Sequence, residues 1–207
     1  MTSIITGDII NSRKVTDQQA WLAPLKKILS IYGKSPKTWE IFRGDSFQLE
    51  VESPLHSFMA AIRIKAAIRA VKGLDVRMAI GIGKKTYVAT RISESNGEAF
   101  VNSGEKFEEL KKIKQRLAVR TPWPGTDRQL NLMISLASIA MDTWSPGSAQ
   151  LIDLSLRYQD LSQKELGKKI KRTQSSVSER QTRAHFEEIL ELEKYFREHI
   201  TEQSGLK

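Results

Sequence analysis

Cysteine is absent from the 207 residues, histidine occurs three times, and aromatic residues make up only 7% of the chain. Because the chain has no thiols, it cannot form disulfides, use a thiolate nucleophile or bind zinc through cysteine. The histidines, His56, His185 and His199, do not have the spacing of zinc ligands. No run of 18 apolar residues occurs, so no membrane span is predicted. Since the N-terminus also lacks the charged leader of a signal peptide, we expect a cytoplasmic protein.

The 24 acidic residues are outnumbered by 33 lysines and arginines, which gives a formal net charge of +9. Residues 157–183 contain eight lysines and arginines against three acids, whereas residues 186–202 contain six glutamates against two basic residues. A basic balance favours polyanionic partners such as nucleic acid or nucleotides. The basic stretch therefore predicts an anion-binding surface, and the acidic stretch predicts a helix for packing or pairing.

Hydrophobic periodicity predicts strands and helices in the order β-α-β-β-α-β over the first part of the chain, with further elements appended. This order is typical of an α+β domain of the ferredoxin-like or palm type, an antiparallel sheet with helices on one face. The strand patterns cease after the Pro/Gly-rich segment TPWPGTD. We therefore predict a palm-like domain over residues 1–121 and an all-α domain over residues 126–207.

Residues 162–184 predict two short helices joined by a turn. Ser162 and Glu165 have the spacing of a capping box, and Leu166, Ile170 and Val177 would pack between the helices. This stretch resembles the helix-turn-helix of bacterial regulators. It departs from that pattern at Gly167, where alanine is usual, and at Lys171, where the turn usually has glycine. Lys171 is therefore expected to adopt a positive φ.

The resemblance implies DNA as the partner, with short polar side chains at base edges and basic side chains at phosphates. The predicted DNA-binding residues are Lys164, Lys168, Lys169, Lys171, Arg172, Gln174, Ser175, Ser176, Ser178, Arg180 and Arg183. The alternative is a solvated helical hairpin with a basic face. The apolar residues of the last helix, within residues 186–196, would either pack on their own domain or pair with a second subunit. Since dimers suit this motif, we expect a homodimer.

Two acids each follow a glycine at points that the predicted topology brings together. Gly7-Asp8 ends the first strand, and Gly44-Asp45 lies at the tip of the predicted hairpin. Paired carboxylates suit Mg²⁺, a hard cation that takes oxygen ligands. A plain hairpin turn at Asp45 is the alternative. Arg13 and Arg43, near these acids in sequence, would contact the phosphates of a ligand or form surface ion pairs.

The segments ITGDII, FRGDSFQL, DVRMAIGIG and NGEAFVNSGEKFE occur in the order of the motifs of class III nucleotidyl cyclases. By this resemblance Asp8 and Asp45 would be metal ligands, while Asn102 and Lys106 would act on the nucleotide. Lys106 stands where that family has arginine and loses its planar fork. Ile41 stands at the position of the family's base-selecting lysine.

The segment GDIINSR at residues 7–13 and the Gly44-Asp45 hairpin also resemble those of SatD-like bacterial proteins. This likeness covers most of residues 1–120, implies a regulator and names no reaction. Two hypotheses follow. The first is a DNA-binding transcriptional regulator whose palm-like domain senses a small ligand, a nucleotide with Mg²⁺. The alternative is a cyclase-like or other Mg²⁺-dependent phosphoryl-transfer enzyme with a helical targeting module.

Overall fold

The computed structural model describes residues 1–205, which form one mixed sheet and eight α-helices. The strands are β1 (Thr2–Ile10), β2 (Trp39–Phe42), β3 (Ser46–Val51), β4 (Asp75–Gly83) and β5 (Leu117–Arg120). The helices are α1 (Gln19–Leu29), α2 (Ser57–Arg69), α3 (Glu98–Ile113), α4 (Pro124–Met141), α5 (Pro146–Arg157), α6 (Gln163–Lys169), α7 (Gln174–Arg183) and α8 (Phe186–Ser204). No helix in this range is both long and apolar enough to cross a membrane.

The five strands lie in the order β2-β3-β1-β4-β5, and all pairs are antiparallel except β4 with β5. The predicted α+β class is therefore confirmed. The β-α-β-β-α-β order runs from β1 to β4. Helix α3 then connects β4 to β5, which lies at the edge of the sheet and runs parallel to β4. In the central strand, Asp8 lies opposite Ser46 of β3 and Arg77 of β4.

Alternate side chains of the sheet face opposite layers of helix, as the pleat requires. One set, which includes Ile5, Leu49 and Ile80, belongs to the main core with α1 and α2. The other set packs on α3, for instance Ala79 against Phe107. Helices α1 and α2 thus pack on one face of the sheet, and α3, which follows the predicted β-α-β-β-α-β unit, packs on the other face.

Two glycines in β4 explain how α3 approaches so closely. A Cβ added at Gly81 would stand 2.2 Å from the Ser103 backbone nitrogen, and one added at Gly83 would stand 2.7 Å from the Ala99 nitrogen. The backbone of α3 thus lies directly on β4, where only glycine leaves room.

Helices α4, α5 and α8 share a core with α2. The rings of Phe58 and Phe196 stack with centroids 5.3 Å apart, and Arg63 donates to the Leu156 carbonyl at 2.9 Å. A single hydrophobic cluster includes residues of the sheet, α1, α2, α4, α5 and α8. The boundary predicted near residues 122–125 separates strands from helices along the chain, but the two predicted units are joined by one core.

A buried cluster of charges reinforces this junction. Lys65 is 1% exposed, and its Nζ lies 3.1 Å from Asp75 Oδ1 and 2.5 Å from Asp142 Oδ1. Arg116 Nη1 contacts the same two acids, at 3.3 Å and 2.8 Å. These contacts connect α2 to the start of β4 and to the residue that ends α4.

Candidate functional site

The end of β1 and the β2–β3 turn meet at one corner of the sheet. The Ile9 amide donates to the Asp45 carbonyl at 3.1 Å, and Asp8 is paired with Ser46, the residue after Asp45. The charge of Asp45 contributes to raising the pKa of Asp8, after the larger effect of burial. The two acids that the topology was expected to bring together are therefore neighbours.

Each carboxylate nevertheless has its own partner. Asp8 Oδ2 lies 3.6 Å from Arg77 Nη1, whereas Asp8 Oδ1 is buried with no hydrogen-bond partner within residues 1–205. Burial raises the pKa of Asp8, and Arg77 opposes that rise. Asp45 Oδ2 accepts a hydrogen bond from Ser12 Oγ at 2.6 Å. The two carboxylates thus contact different groups.

The predicted metal ligands at this corner are the carboxylates of Asp8 and Asp45. Two-metal chemistry requires several oxygen ligands around ions roughly 3.5–4 Å apart. Among residues 1–205 no three His, Asp or Glu side chains are grouped so that they could hold a metal ion. Asp8 lies close enough to α3 to be affected by Lys111 and Glu108, whereas Asp45 lines a cavity beside α1.

That cavity, of about 300 Å³, is the polar pocket of the corner, and both predicted phosphate contacts line it. Its walls include Ser12, Arg13, Trp21, Arg43 and Asp45. Trp21 is 1% exposed, and its indole N–H finds no acceptor among the described residues. A buried donor without a partner is unfavourable. Arg43 has a φ of 52°, an uncommon conformation for a residue with a side chain.

Asn102 and Lys106 lie elsewhere. Asn102 Nδ2 donates to the Ile82 carbonyl at 2.8 Å, and Ile82 is five residues along β4 from Arg77, the neighbour of Asp8. At about 3.4 Å per residue, this separation along the strand is roughly 17 Å. Lys106 Nζ contacts Glu109 Oε2 at 2.9 Å. The structure therefore does not assemble these two residues with Asp8 and Asp45.

The second candidate site is built by α5, α6 and α7. Leu151, Leu166 and Val177 form its small buried core, with Ile170 packed against them. The predicted capping box at the start of α6 is present, because Ser162 accepts from the Glu165 amide and Glu165 accepts from the Ser162 amide. The predicted packing between these helices is thus found.

The turn between α6 and α7 explains both departures from the usual pattern. Lys171 has a φ of 53°, the left-handed conformation expected for it. The Arg172 amide donates to the Gly167 carbonyl at 2.9 Å. A Cβ on Gly167 would stand 2.7 Å from the Arg172 carbonyl oxygen. Glycine therefore replaces alanine here because the turn folds back directly onto α6.

Most of the predicted DNA-binding side chains are exposed. The exposed members are Lys164, Lys168, Lys169, Lys171, Arg172, Gln174, Ser175 and Arg183, and the half-buried members are Ser176, Ser178 and Arg180. Lys169 Nζ lies 4.3 Å from the centre of the Tyr158 ring, which fixes its position by a cation–π contact. The outer side of α6, the turn and α7 is thus a basic surface.

Arg180 and Arg183 also line a cavity of about 420 Å³ beside the first turn of α5. Arg180 Nη1 lies 3.4 Å from the Gly147 carbonyl, and Ser145 and Ser148 complete the polar wall. Helix N-termini favour anions, because their first N–H groups have no intrahelical acceptor. This cavity extends the basic surface to α5.

Several contributing residues were not singled out from the sequence. Ser12, Trp21 and Arg77 contact or enclose the two acids, but their roles depend on strand register and on the loop after β1. Gln163 bonds to Gln174 and to Gln181. The spacing of seven residues between Gln174 and Gln181 indicates that both lie on the same face of α7. No such sign was present in the sequence for Gln163, because it lies on another helix.

Fold and sites together define an α+β protein with a polar pocket at one corner of its sheet and an exposed basic pair of helices. The sequence model of the SatD family matches residues 3–197, and the chain belongs to this family. The match spans the whole sheet and continues into α8, well beyond the residues that suggested the likeness. No curated protein matches the chain.

Proposed function

We propose that this protein is a cytoplasmic, homodimeric transcriptional regulator that binds DNA through α6 and α7, a helix-turn-helix attached to a palm-like sheet. One observation carries the proposal: α7 packs on α5 and α6 through Val177 and leaves a basic outer surface open to solvent. A short helix with small polar side chains at its start fits the DNA major groove.

The contacts divide by chemistry. Gln174 and Ser175 begin α7 and are exposed, so they would contact base edges. Lys171 and Arg172 in the turn would contact phosphates on one side of the groove. Arg183, at the end of α7, would contact phosphates on the other side with the first turn of α5.

Gln174 is held in place before DNA arrives. Its Nε2 donates to Gln163 Oε1 at 2.7 Å, and Gln163 Nε2 donates to Gln181 Oε1 at 2.8 Å. Gln181 in turn donates to Ser155 Oγ at 3.0 Å. This chain of amides joins three helices and limits the loss of side-chain entropy on binding.

The test is selection of binding sites from randomised duplex DNA, followed by fluorescence anisotropy. Arg172→Ala should weaken binding to all sequences and reduce the salt slope by about one. Gln174→Ala should instead relax the preference for one base pair, at a cost of about 1–3 kcal/mol. Lys112→Ala, an exposed residue of α3, is the matched control and should change neither property. Selection that enriches no sequence would contradict the proposal.

The pocket around Asp45 supports the ligand-sensing part of the proposal. The two guanidinium groups of Arg13 and Arg43 suit a phosphate or carboxylate, and Asp45 suits a ligand hydroxyl. We propose a nucleotide, with Mg²⁺ entering as the counter-ion of its phosphates. ATP, AMP and inorganic phosphate, each with and without Mg²⁺, should raise the melting temperature if they bind. Arg43→Ala should remove the shift, while Lys14→Ala, also exposed, should keep it. No shift with any of them would overturn this part.

The enzymatic alternative has less support, because Asn102 and Lys106 lie away from the two acids. Incubation of the protein with nucleoside triphosphates and Mg²⁺, analysed by chromatography, should yield no cyclic nucleotide and no pyrophosphate. Turnover that disappears in Asp45→Asn would reverse the order of the two hypotheses.

A further inference from the structure

An apolar stripe runs along the solvent side of α4. Leu132, Leu136 and Ile139 are 64%, 60% and 69% exposed, the largest group of exposed large apolar side chains on any one helix in residues 1–205. Apolar side chains grouped on one helix face in this way mark an interaction site, whereas single exposed apolar residues are ordinary.

The spacing of the stripe identifies the shape of its partner. Gln129, Leu132, Leu136, Ile139 and Thr143 follow one another at intervals of three and four residues. This alternation is the a/d seam of a coiled coil, whose side chains fit between those of a facing helix. Polar residues stand at both ends of the seam, so the apolar part is limited to its centre.

A groove lies beside the C-terminal half of the seam, between α4 and the first turns of α8. It has a volume of about 640 Å³ and is lined by apolar side chains, including Ile139, Ala140, Ile189 and Leu192. His185 and Glu188 stand at its polar rim. One surface therefore offers both projecting side chains and an apolar recess.

We propose that this surface binds a second copy of the same chain, with the two α4 helices antiparallel about a two-fold axis at Leu136. The intervals on either side of Leu136 are nearly equal, so Leu132 would face Ile139 of the partner subunit and enter its groove. Such self-complementarity is what a two-fold interface requires.

Charge also agrees with the antiparallel arrangement. Arg128 is exposed at the N-terminal end of the seam, and Glu188 is 69% exposed at the opposite end. In the antiparallel pair each Arg128 would approach Glu188 of the partner subunit. A parallel pair would instead place Arg128 beside a second Arg128, which is unfavourable.

Helix α8 is excluded as the main pairing surface. Its apolar residues Phe186, Ile189 and Phe196 are at most 6% exposed and belong to the chain's own core. The last helix was predicted either to pack on its own chain or to pair with a second subunit, and these three residues pack on their own chain. The inference deepens the homodimer of the proposed function, rests on α4 and the groove beside it, and is tested without DNA.

The first test is the mass of the full-length protein by sedimentation equilibrium at tens of micromolar. The wild type should have twice the 23.5 kDa chain mass, and Leu136→Glu should be monomeric with unchanged circular dichroism. Ile113→Glu, at an equally exposed apolar residue of α3 (62%), should remain dimeric. A monomeric wild type, or a dimer that survives Leu136→Glu, overturns the proposal.

The absence of cysteine permits a second test that keeps the surface largely intact. At a two-fold axis Leu136→Cys meets its own copy and should form an intermolecular disulfide under mild oxidation. Leu132→Cys and Ile113→Cys should not, because neither lies on the axis. Equal cross-linking of all three variants would exclude the antiparallel arrangement.

Discussion

The Asp8 carboxylate combines a buried oxygen that lacks a hydrogen bond with a neighbouring guanidinium from Arg77. Because burial raises its pKa, Asp8 binds a proton more tightly in the folded chain than in the unfolded chain. The slope of stability with pH from this residue is therefore negative. Its contribution to the free energy of unfolding grows as pH falls from neutrality through the raised pKa.

We accordingly expect the wild type to gain stability relative to Asp8→Asn as pH falls from 7 towards 4. Each unit of pKa difference corresponds to about 1.4 kcal/mol. Urea unfolding at several pH values measures the difference, and Asp160→Asn, at an exposed acid, is the control. A difference that stays constant with pH would show that Asp8 titrates as it does in the unfolded chain.

Lys65 allows a second prediction at the residue scale. Removal of one partner of a buried ion pair leaves a charge without compensation. Lys65→Met removes the ammonium group that Asp75 and Asp142 share and leaves these two acids with arginine partners only. Because the two buried carboxylates then have less positive charge beside them, we expect a loss of about 3 kcal/mol in the free energy of unfolding. Lys72→Met, just after α2 and exposed, should change it by less than about 0.5 kcal/mol. Equal effects in urea unfolding would refute the role assigned to the cluster.

Part of the candidate site could be predicted residue by residue. Asp8 and Asp45 follow strand signals, and strand order then makes them neighbours. Arg77 could not be predicted as the partner of Asp8, because that contact depends on the register between β1 and β4. Register is set by the packing of the whole sheet rather than by local sequence.

At the scale of the structural elements, the α6–α7 turn requires a residue without a Cβ at Gly167. Gly167→Ala would press its Cβ against the Arg172 carbonyl oxygen, at a cost of about 1–3 kcal/mol. Gly104, within α3, has nothing within 4 Å of an added Cβ, so Gly104→Ala should instead stabilise by about 0.5–1 kcal/mol. Thermal unfolding of the two variants gives the comparison. Opposite signs are expected, and the same sign in both would contradict the close approach.

Local signals predicted most of the elements, because caps, periodicity and turn residues act over a few positions. The capping box of α6 is such a case. The face of the sheet that α3 covers was not predicted, since it depends on contacts of Gly81 and Gly83 with a helix some twenty residues later. The spacing of the glycines in β4 can be read from the sequence, but their contact with α3 is seen only in the folded structure.

For the molecule as a whole, the shared core has a thermodynamic consequence. The stacked pair of Phe58 and Phe196 and the bond from Arg63 to Leu156 join the two halves of the chain. We therefore expect one cooperative unfolding transition. Circular dichroism and tryptophan fluorescence should give coincident urea curves, and the calorimetric and van't Hoff enthalpies should agree. Two separated transitions would indicate independently stable domains.

The position of Phe196 also bears on how the protein is made. Helix α8 is synthesised after every other described element, yet Phe196 and Ile200 fill the core on α2 and are fully buried. Until α8 has emerged from the ribosome, the ring of Phe58 on α2 lacks the Phe196 ring that stacks on it. Folding of the nascent chain should therefore finish late, and the exposed face of α2 is where a chaperone would bind meanwhile.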